Sequence, residues 1–182
     1  GNDWTGRAAG SLRIANYLGA HEDAGLSAAK VELVRMAVLE ACDAADGVID
    51  KVVGDPERCD FDPAVLQCSG ADNGSCLTAA QVNTVKMLYS SPENPKTGRA
   101  ITGVLPGSES NWTDLGWTRS ARASGLDQYR YLVYGDPEWT VDRFDFGTDI
   151  VRAEETDGGT LNALDPDLRP FFDRGGKLLA YH

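Results

Sequence analysis

Apolar positions recur at helical spacing through the first half of the chain and thin out in the second. Ala8, Leu12, Ile14, Ala15 and Leu18 predict a short helix over 5–18, ended by Gly19 and the polar run His21-Glu22-Asp23. His21 reads as a solvated loop histidine. A better-specified helix follows. Ser27 is a good N-cap, because its hydroxyl can accept from a first-turn backbone N–H that has no partner in the helix. Leu26 and Val31 flank it as a hydrophobic staple. Val31, Val34, Val38 and Cys42 then recur near 3.6-residue spacing, with the helix running to about Ala41. Asp62-Pro63 opens a short helix ending near Cys68, with Asp as cap and Pro in the first turn. Residues 69–76 form a polar turn. Thr78-Ala79-Ala80-Gln81 is a capping box stapled by Leu77 and Val82, and its helix buries Val82, Val85 and Leu88 or Tyr89.

The second half is less regular. Ser91 to Gly98 is a proline-glycine turn. Residues 99–118 form an ordered excursion carrying Ile101, Val104, Leu105, Trp112 and Trp117. Indoles on a loop either pack on a neighbouring surface or line a site for an aromatic ligand. Tyr129 to Tyr134 reads as strand or helix, and Gly135 to Trp139 as a turn. Ile150, Val151 and Ala153 predict a helix from about Asp149 to Glu155, broken at Gly158-Gly159. Asp165-Pro166 signals another helix start, Gly175-Gly176 its end, and Pro170 a distortion within it. Leu178 to Tyr181 reads as an apolar strand. Helix, glycine turn, apolar strand is the unit of an α/β sheet with parallel strands.

The chemistry concentrates just after the second helix. Asp43, Asp46 and Asp50 place three carboxylates within eight residues, around Gly47. Such a loop can wrap a hard cation such as Ca²⁺, which takes oxygen ligands, with the carbonyls of Val48 and Val52 completing the shell. The competing reading is a solvated acidic turn, since the spacing is not that of an EF-hand. Cys42, Cys59, Cys68 and Cys76 lie within 35 residues. Three pairings are possible, of which Cys42–Cys59 with Cys68–Cys76 staples two successive loops. Zinc and free thiols are the alternatives, but no C-x-x-C pair is present and no histidine is near.

Composition narrows the remaining classes. The chain has 182 residues, 17 basic against 28 acidic, for a net charge of −11. That balance disfavours nucleic acid and anionic membranes as partners. No apolar run approaches the roughly 18 residues of a membrane span, and no signal peptide is visible. The start at Gly1 and the stop on a strand-like run suggest a piece of a longer protein. Nucleophile-elbow, Walker, dinucleotide and H-E-x-x-H signatures are all missing. With two histidines, His21 in a loop and His182 last, a Ser-His-Asp site cannot be assembled from these residues.

The run Cys42-Asp43-Ala44-Ala45-Asp46-Gly47-Val48-Ile49-Asp50, followed by Asp55-Pro56 and Cys59-Asp60-Phe61-Asp62-Pro63, resembles the tannase and feruloyl esterase family. So do Leu77 to Val82, Gly107-Ser108-Glu109, Tyr131-Leu132-Val133, Asp136 to Trp139, Phe144-Asp145-Phe146 and Gly175 to His182, with Asn2 and Trp4-Thr5-Gly6 at the start. The resemblance implies an α/β-hydrolase family fragment: a mixed α/β, mostly helical, loop-rich and disulfide-stapled lid with a C-terminal helix–strand unit of the core sheet. Its divisions would be a core flank at 1–25, the lid with its calcium loop at 26–160, and a return to the core at 161–182.

The resemblance also implies a structural Ca²⁺ held by the side chains of Asp43, Asp46 and Asp50 and the carbonyls of Val48 and Val52. It implies the disulfides Cys42–Cys59 and Cys68–Cys76. Contacts to the aromatic acyl group would be sought at Trp112, Trp117, Arg122 and Leu126. The activity implied is that of a secreted or periplasmic serine esterase on aromatic acid esters. Its nucleophile would precede Gly1, and its aspartate and histidine would follow His182, so this stretch alone is expected to be inactive. Its partners would be the ester and the rest of the hydrolase core. The rival expectation is a self-standing extracellular calcium-binding module without chemistry.

Overall fold

The structure, a computed structural model, describes residues 3–101, 103–112 and 125–179. Five α-helices carry it: α1 (Trp4–Ala20), α2 (Ala28–Cys42), α3 (Ala79–Tyr89), α4 (Thr148–Asp157) and α5 (Arg169–Asp173). Short 3₁₀ turns and one π-helix, Gln128–Tyr134, lie between them.

Local chemistry sets the helix starts. Asp3 caps α1 by accepting from the N–H of Gly6, and Ser27 caps α2 by accepting from the N–H of Lys30. At α3 both halves of the capping box form: Thr78 Oγ1 accepts from the N–H of Gln81, and Gln81 Oε1 accepts from the N–H of Thr78. Each such cap satisfies backbone donors that the helix cannot, for about 1 kcal/mol.

α1 is the shared wall of two apolar clusters. Its C-terminal half lends Ile14 and Leu18 to a cluster with Val34 and Val38 of α2, Val82 and Val85 of α3, and Trp112. Its N-terminal half lends Ala8, Ala9 and Leu12 to a second cluster around Tyr129, Trp139, Phe144 and Ile150. Burying each large aliphatic side chain contributes about 1.5–3 kcal/mol, so α1 couples the two halves of the chain through apolar contact. A polar tie adds to this: Arg99 bridges Asp3 at the start of α1 and Glu154 of α4, both at 2.5 Å.

Two expectations fail, both near the C-terminus. Asp165-Pro166 does not start a helix. Asp165 instead accepts from the N–H of Asp167 in a local turn, and α5 begins at Arg169, whose N–H and guanidinium are held by Asp167. Pro170 therefore sits in the first turn of α5, where its missing N–H distorts nothing. No strand forms among the described residues, only three isolated bridges. Of the expected Leu178–Tyr181 strand, Leu178 and Leu179 pair with nothing among the described residues and are exposed, at 61% and 89%, and Ala180 and Tyr181 lie outside the described residues. An isolated strand leaves its backbone groups and apolar side chains to water, and it forms only with a neighbour to pair with. The Tyr129–Tyr134 ambiguity resolves as a π-helix that buries Tyr129 and Val133 and ends at Gly135 with φ 61°.

Candidate functional site: the acidic loop and its staples

α2 ends on the buried Cys42, and the chain turns at once into a 3₁₀ turn, Asp43–Asp46. Gly47 follows at φ 93° and Lys51 at φ 68°, so the loop reverses twice through left-handed backbone. Cys42 is bonded to Cys59, closing the loop, and Cys68 to Cys76, closing the polar turn before α3.

The three carboxylates are engaged separately. Asp43, 8% exposed, accepts through Oδ1 from the N–H groups of Asp50 at 3.1 Å and Lys51 at 2.9 Å. Asp46 accepts from the N–H of Val48 at 2.9 Å, and Asp50 from that of Val52 at 3.1 Å. Asp43 is thus the organising group, a mostly buried carboxylate that draws the middle of the loop back onto the end of α2. Asp46 Oδ2 lies where a side chain at position 54 would begin, so a larger residue than Gly54 would displace the Asp46 carboxylate.

The carboxylate oxygens of Asp43, Asp46 and Asp50 do not meet within 4.8 Å of one another. Among the described residues the only trio that close is Cys68, Asp72 and Cys76. Its sulfurs are joined in a disulfide and offer no thiolate. Tested on donor chemistry, the acidic loop fits calcium: it presents three carboxylates and backbone carbonyls and no nitrogen or sulfur ligand, the set a hard divalent cation prefers.

The other candidates fall in different places. Trp112 is fully buried, its Nε1 donating to Ser108 Oγ at 3.1 Å and its ring edge-on to Tyr89, so it presents no surface to a ligand. Leu126 packs partly buried against the second cluster. Trp117, Arg122 and His182 lie outside the described residues. His21 is exposed, stacked on Tyr17 with Nδ1 at 3.0 Å from the Tyr17 carbonyl, which leaves it a helix-end residue.

Sequence reasoning missed three buried charges, Lys30, Glu109 and Asp149, the last 4% exposed and accepting from the Tyr134 hydroxyl at 2.5 Å. Lys30 of α2 is 6% exposed, and its Nζ donates to Asp72 at 2.6 Å and to the Cys76 carbonyl, tying α2 to the small disulfide loop. That hydrogen bond, with a second from the Gly74 N–H, holds the Asp72 carboxyl below its usual range. Glu109 is fully buried. Its Oε1 accepts from the Tyr89 hydroxyl at 2.6 Å and from the N–H of Gly107 at 2.8 Å, and Oε2 is buried without a partner. Burial, and then the Glu109 charge, push the Tyr89 hydroxyl far above its ordinary value. Gly107-Ser108-Glu109 carried the only signal, as part of the family resemblance.

The described residues form a helical unit stapled by two local disulfides, with an oxygen-rich acidic loop following one helix. Among the described residues it gathers no nucleophile, base and acid. A profile of the family described as "Tannase and feruloyl esterase" matches residues 3–129. The chain is 34% identical over 176 residues to an uncharacterised esterase of Xanthomonas campestris, covering 87% of this chain and 31% of that protein. It is 34% identical over 152 residues to a probable feruloyl esterase B of Emericella nidulans, covering 83% of this chain and 29% of that protein. The crystal structure of feruloyl esterase B from Aspergillus oryzae superposes with a TM-score of 0.84 at 25% identity, covering 96% of this chain and 36% of that one. A tannin acyl hydrolase from Aspergillus niger shares the fold, with a TM-score of 0.65 at 20% identity. The chain belongs to the tannase and feruloyl esterase family. It spans about a third of the length of the relatives it matches.

Proposed function

We propose that the protein to which this chain belongs is a carboxylic ester hydrolase acting on esters of aromatic acids, and that residues 26–160 form a lid over its catalytic centre. The observation that carries this reading is the family match across residues 3–129 together with relatives bearing feruloyl esterase names. The nucleophile, base and acid belong to the rest of the polypeptide, an α/β-hydrolase core that residues 1–25 and 161–182 join. Serine acyl transfer is the chemistry: attack on the ester carbonyl, oxyanion stabilisation by backbone N–H groups, then hydrolysis of the acyl-enzyme. The two disulfides favour an exported protein. No helix among the described residues is long and apolar enough to cross a membrane.

The full-length protein is expected to hydrolyse methyl ferulate or methyl gallate, and replacement of its nucleophilic serine by alanine is expected to abolish turnover. Full-length protein inert toward both esters would overturn the reading.

The acidic loop is proposed to hold one structural Ca²⁺ through Asp43, Asp46 and Asp50 and the carbonyls of Val48 and Val52. The ion would supply charge neutralisation between carboxylates that otherwise repel, and so fix the loop. Asp46→Ala is expected to remove the upward shift in melting temperature that calcium gives the full-length protein. Identical calcium titrations for the variant and its parent would sink the assignment.

A further inference from the structure

The polar turn before α3 carries the chain's single Asn-Gly pair, Asn73-Gly74, inside the loop closed by Cys68–Cys76. Asp72, Asn73, Gly74 and Ser75 are all exposed. Gly74 stands at φ 88°, with no side chain to shield its nitrogen and nothing within 4 Å of where a Cβ would lie. Its N–H donates to Asp72 Oδ1 at 2.8 Å. Asn73 Oδ1 accepts from the Ser75 N–H at 3.0 Å and from the Ser75 hydroxyl at 2.9 Å. Lys30 Nζ, 2.6 Å from Asp72 Oδ1, keeps that carboxylate ionised and in place.

The contacts of Asp72 and Asn73 shape the turn, as such side chains do by bonding backbone two residues on. Together they also set the parts of an acyl transfer on one turn. The Asn73 side-chain amide is an electrophile. The Gly74 nitrogen, next along the chain, is the nucleophile that closes a five-membered ring with it. Asp72 lies within reach of a general base on that nitrogen. The two Ser75 donors face the oxygen on which charge develops, at the distances of an oxyanion hole.

We propose that Asn73 is a self-modification site: in the folded protein Asn73 and Gly74 close to a succinimide with loss of ammonia, and water opens the ring to aspartate or isoaspartate. The Gly74 nitrogen bonds to Asn73 Cγ while Asp72 takes its proton. Ser75 holds the tetrahedral oxyanion. The Cγ–Nδ2 bond then breaks, and the proton passes from Asp72 to the departing amine, which leaves as ammonia. Water adds to either ring carbonyl. Both products carry a new carboxylate beside Asp72. Isoaspartate also adds a backbone carbon to the disulfide loop that Lys30 ties to α2. None of these steps depends on the proposed esterase function.

The experiment is incubation of oxidised full-length protein at neutral pH, with peptide mass spectrometry of Asn73 over time and an assay for isoaspartate. The same protein, reduced, alkylated and unfolded in urea, is the reference. Asn73 is expected to lose ammonia and then gain water, faster in the folded protein than in the reference by about tenfold or more, because a positioned proton acceptor is lost on unfolding. Ser75 is exposed, so Ser75→Ala spares the fold while removing one donor to Asn73. Asp72→Asn keeps an acceptor for Gly74 and Lys30 but removes the base. Each variant is expected to slow the folded-state reaction by about tenfold and to leave the rate in urea unchanged. A folded protein that reacts no faster than the unfolded chain would overturn the proposal, because the turn would then protect Asn73. So would an unchanged folded-state rate in either variant, which would leave only the chemistry common to any exposed Asn-Gly pair.

Discussion

Replacing Trp112 with alanine is expected to destabilise the α2–α3 half of the chain by about 3–5 kcal/mol, the cost of removing a fully buried indole and leaving a cavity. Trp112 has no exposed surface and stands in the cluster that joins α1, α2 and α3. Three further contacts depend on it. Its ring packs edge-on to Tyr89, the Tyr89 hydroxyl donates to Glu109, and Glu109 holds the N–H of Gly107. Losing the ring admits water beside a buried carboxylate whose second oxygen has no partner. The check is amide hydrogen exchange in the full-length protein. Protection across Val31–Val38 and Val82–Leu88 is expected to fall by roughly two to nearly four decades, each decade being about 1.4 kcal/mol. Trp112→Phe, which keeps most of the volume, is expected to fall by less. Exchange unaltered in both helices would show that Trp112 is peripheral to the cluster.

The helices α1 to α4 were legible because each carries its own instructions. Ser27, Thr78 and Gln81 are local signals, and they act over three residues whatever the rest of the chain does. The apolar faces were legible for the same reason: Ala8, Leu12, Ile14, Ala15 and Leu18 are all buried. Elements whose form depends on distant partners were not. Tyr129 to Tyr134 alternates aromatic and other residues in a way that suits a strand, yet the stacking of Tyr129 and Tyr134 on Trp139 fixes it as a helix. Leu178 and Leu179 have the composition of a strand but nothing among the described residues to pair with.

The site divides along the same line. The loop was legible as a dense local cluster of aspartates around a glycine. The distinct place of Asp43, buried and drawing in the N–H groups of Asp50 and Lys51, follows only from its position at the buried end of α2. Lys30 and Glu109 were invisible because a buried charge is defined by what surrounds it, and Asp72, Cys76 and Tyr89 come from elsewhere in the sequence.

Removing the Cys42–Cys59 cross-link, as Cys42→Ala with Cys59→Ala, is expected to cost about 3 kcal/mol in the chain-entropy model for a loop of this length. The sequence separation is 17 residues, and everything between is 3₁₀ turn and irregular backbone. Ile49 is 81% exposed, and Val48 and Val52 are also exposed, so the loop buries too little apolar surface to offset the entropy of ordering it. Only Val53 and Cys59 pack against the first cluster from this segment. The disulfide therefore anchors the far end of the loop, and Asp43 holds the middle. The measurement is hydrogen exchange of full-length protein, oxidised and as the double variant. Protection of the Asp50 and Lys51 amides, which donate to Asp43, is expected to fall most. Protection of α4 on the far side of α1 is expected to change little, because its contacts lie in the second cluster. A uniform loss across both clusters would mean that the staple supports the whole unit. No loss at Asp50 and Lys51 would mean that Asp43 and whatever the carboxylates bind hold the loop without it.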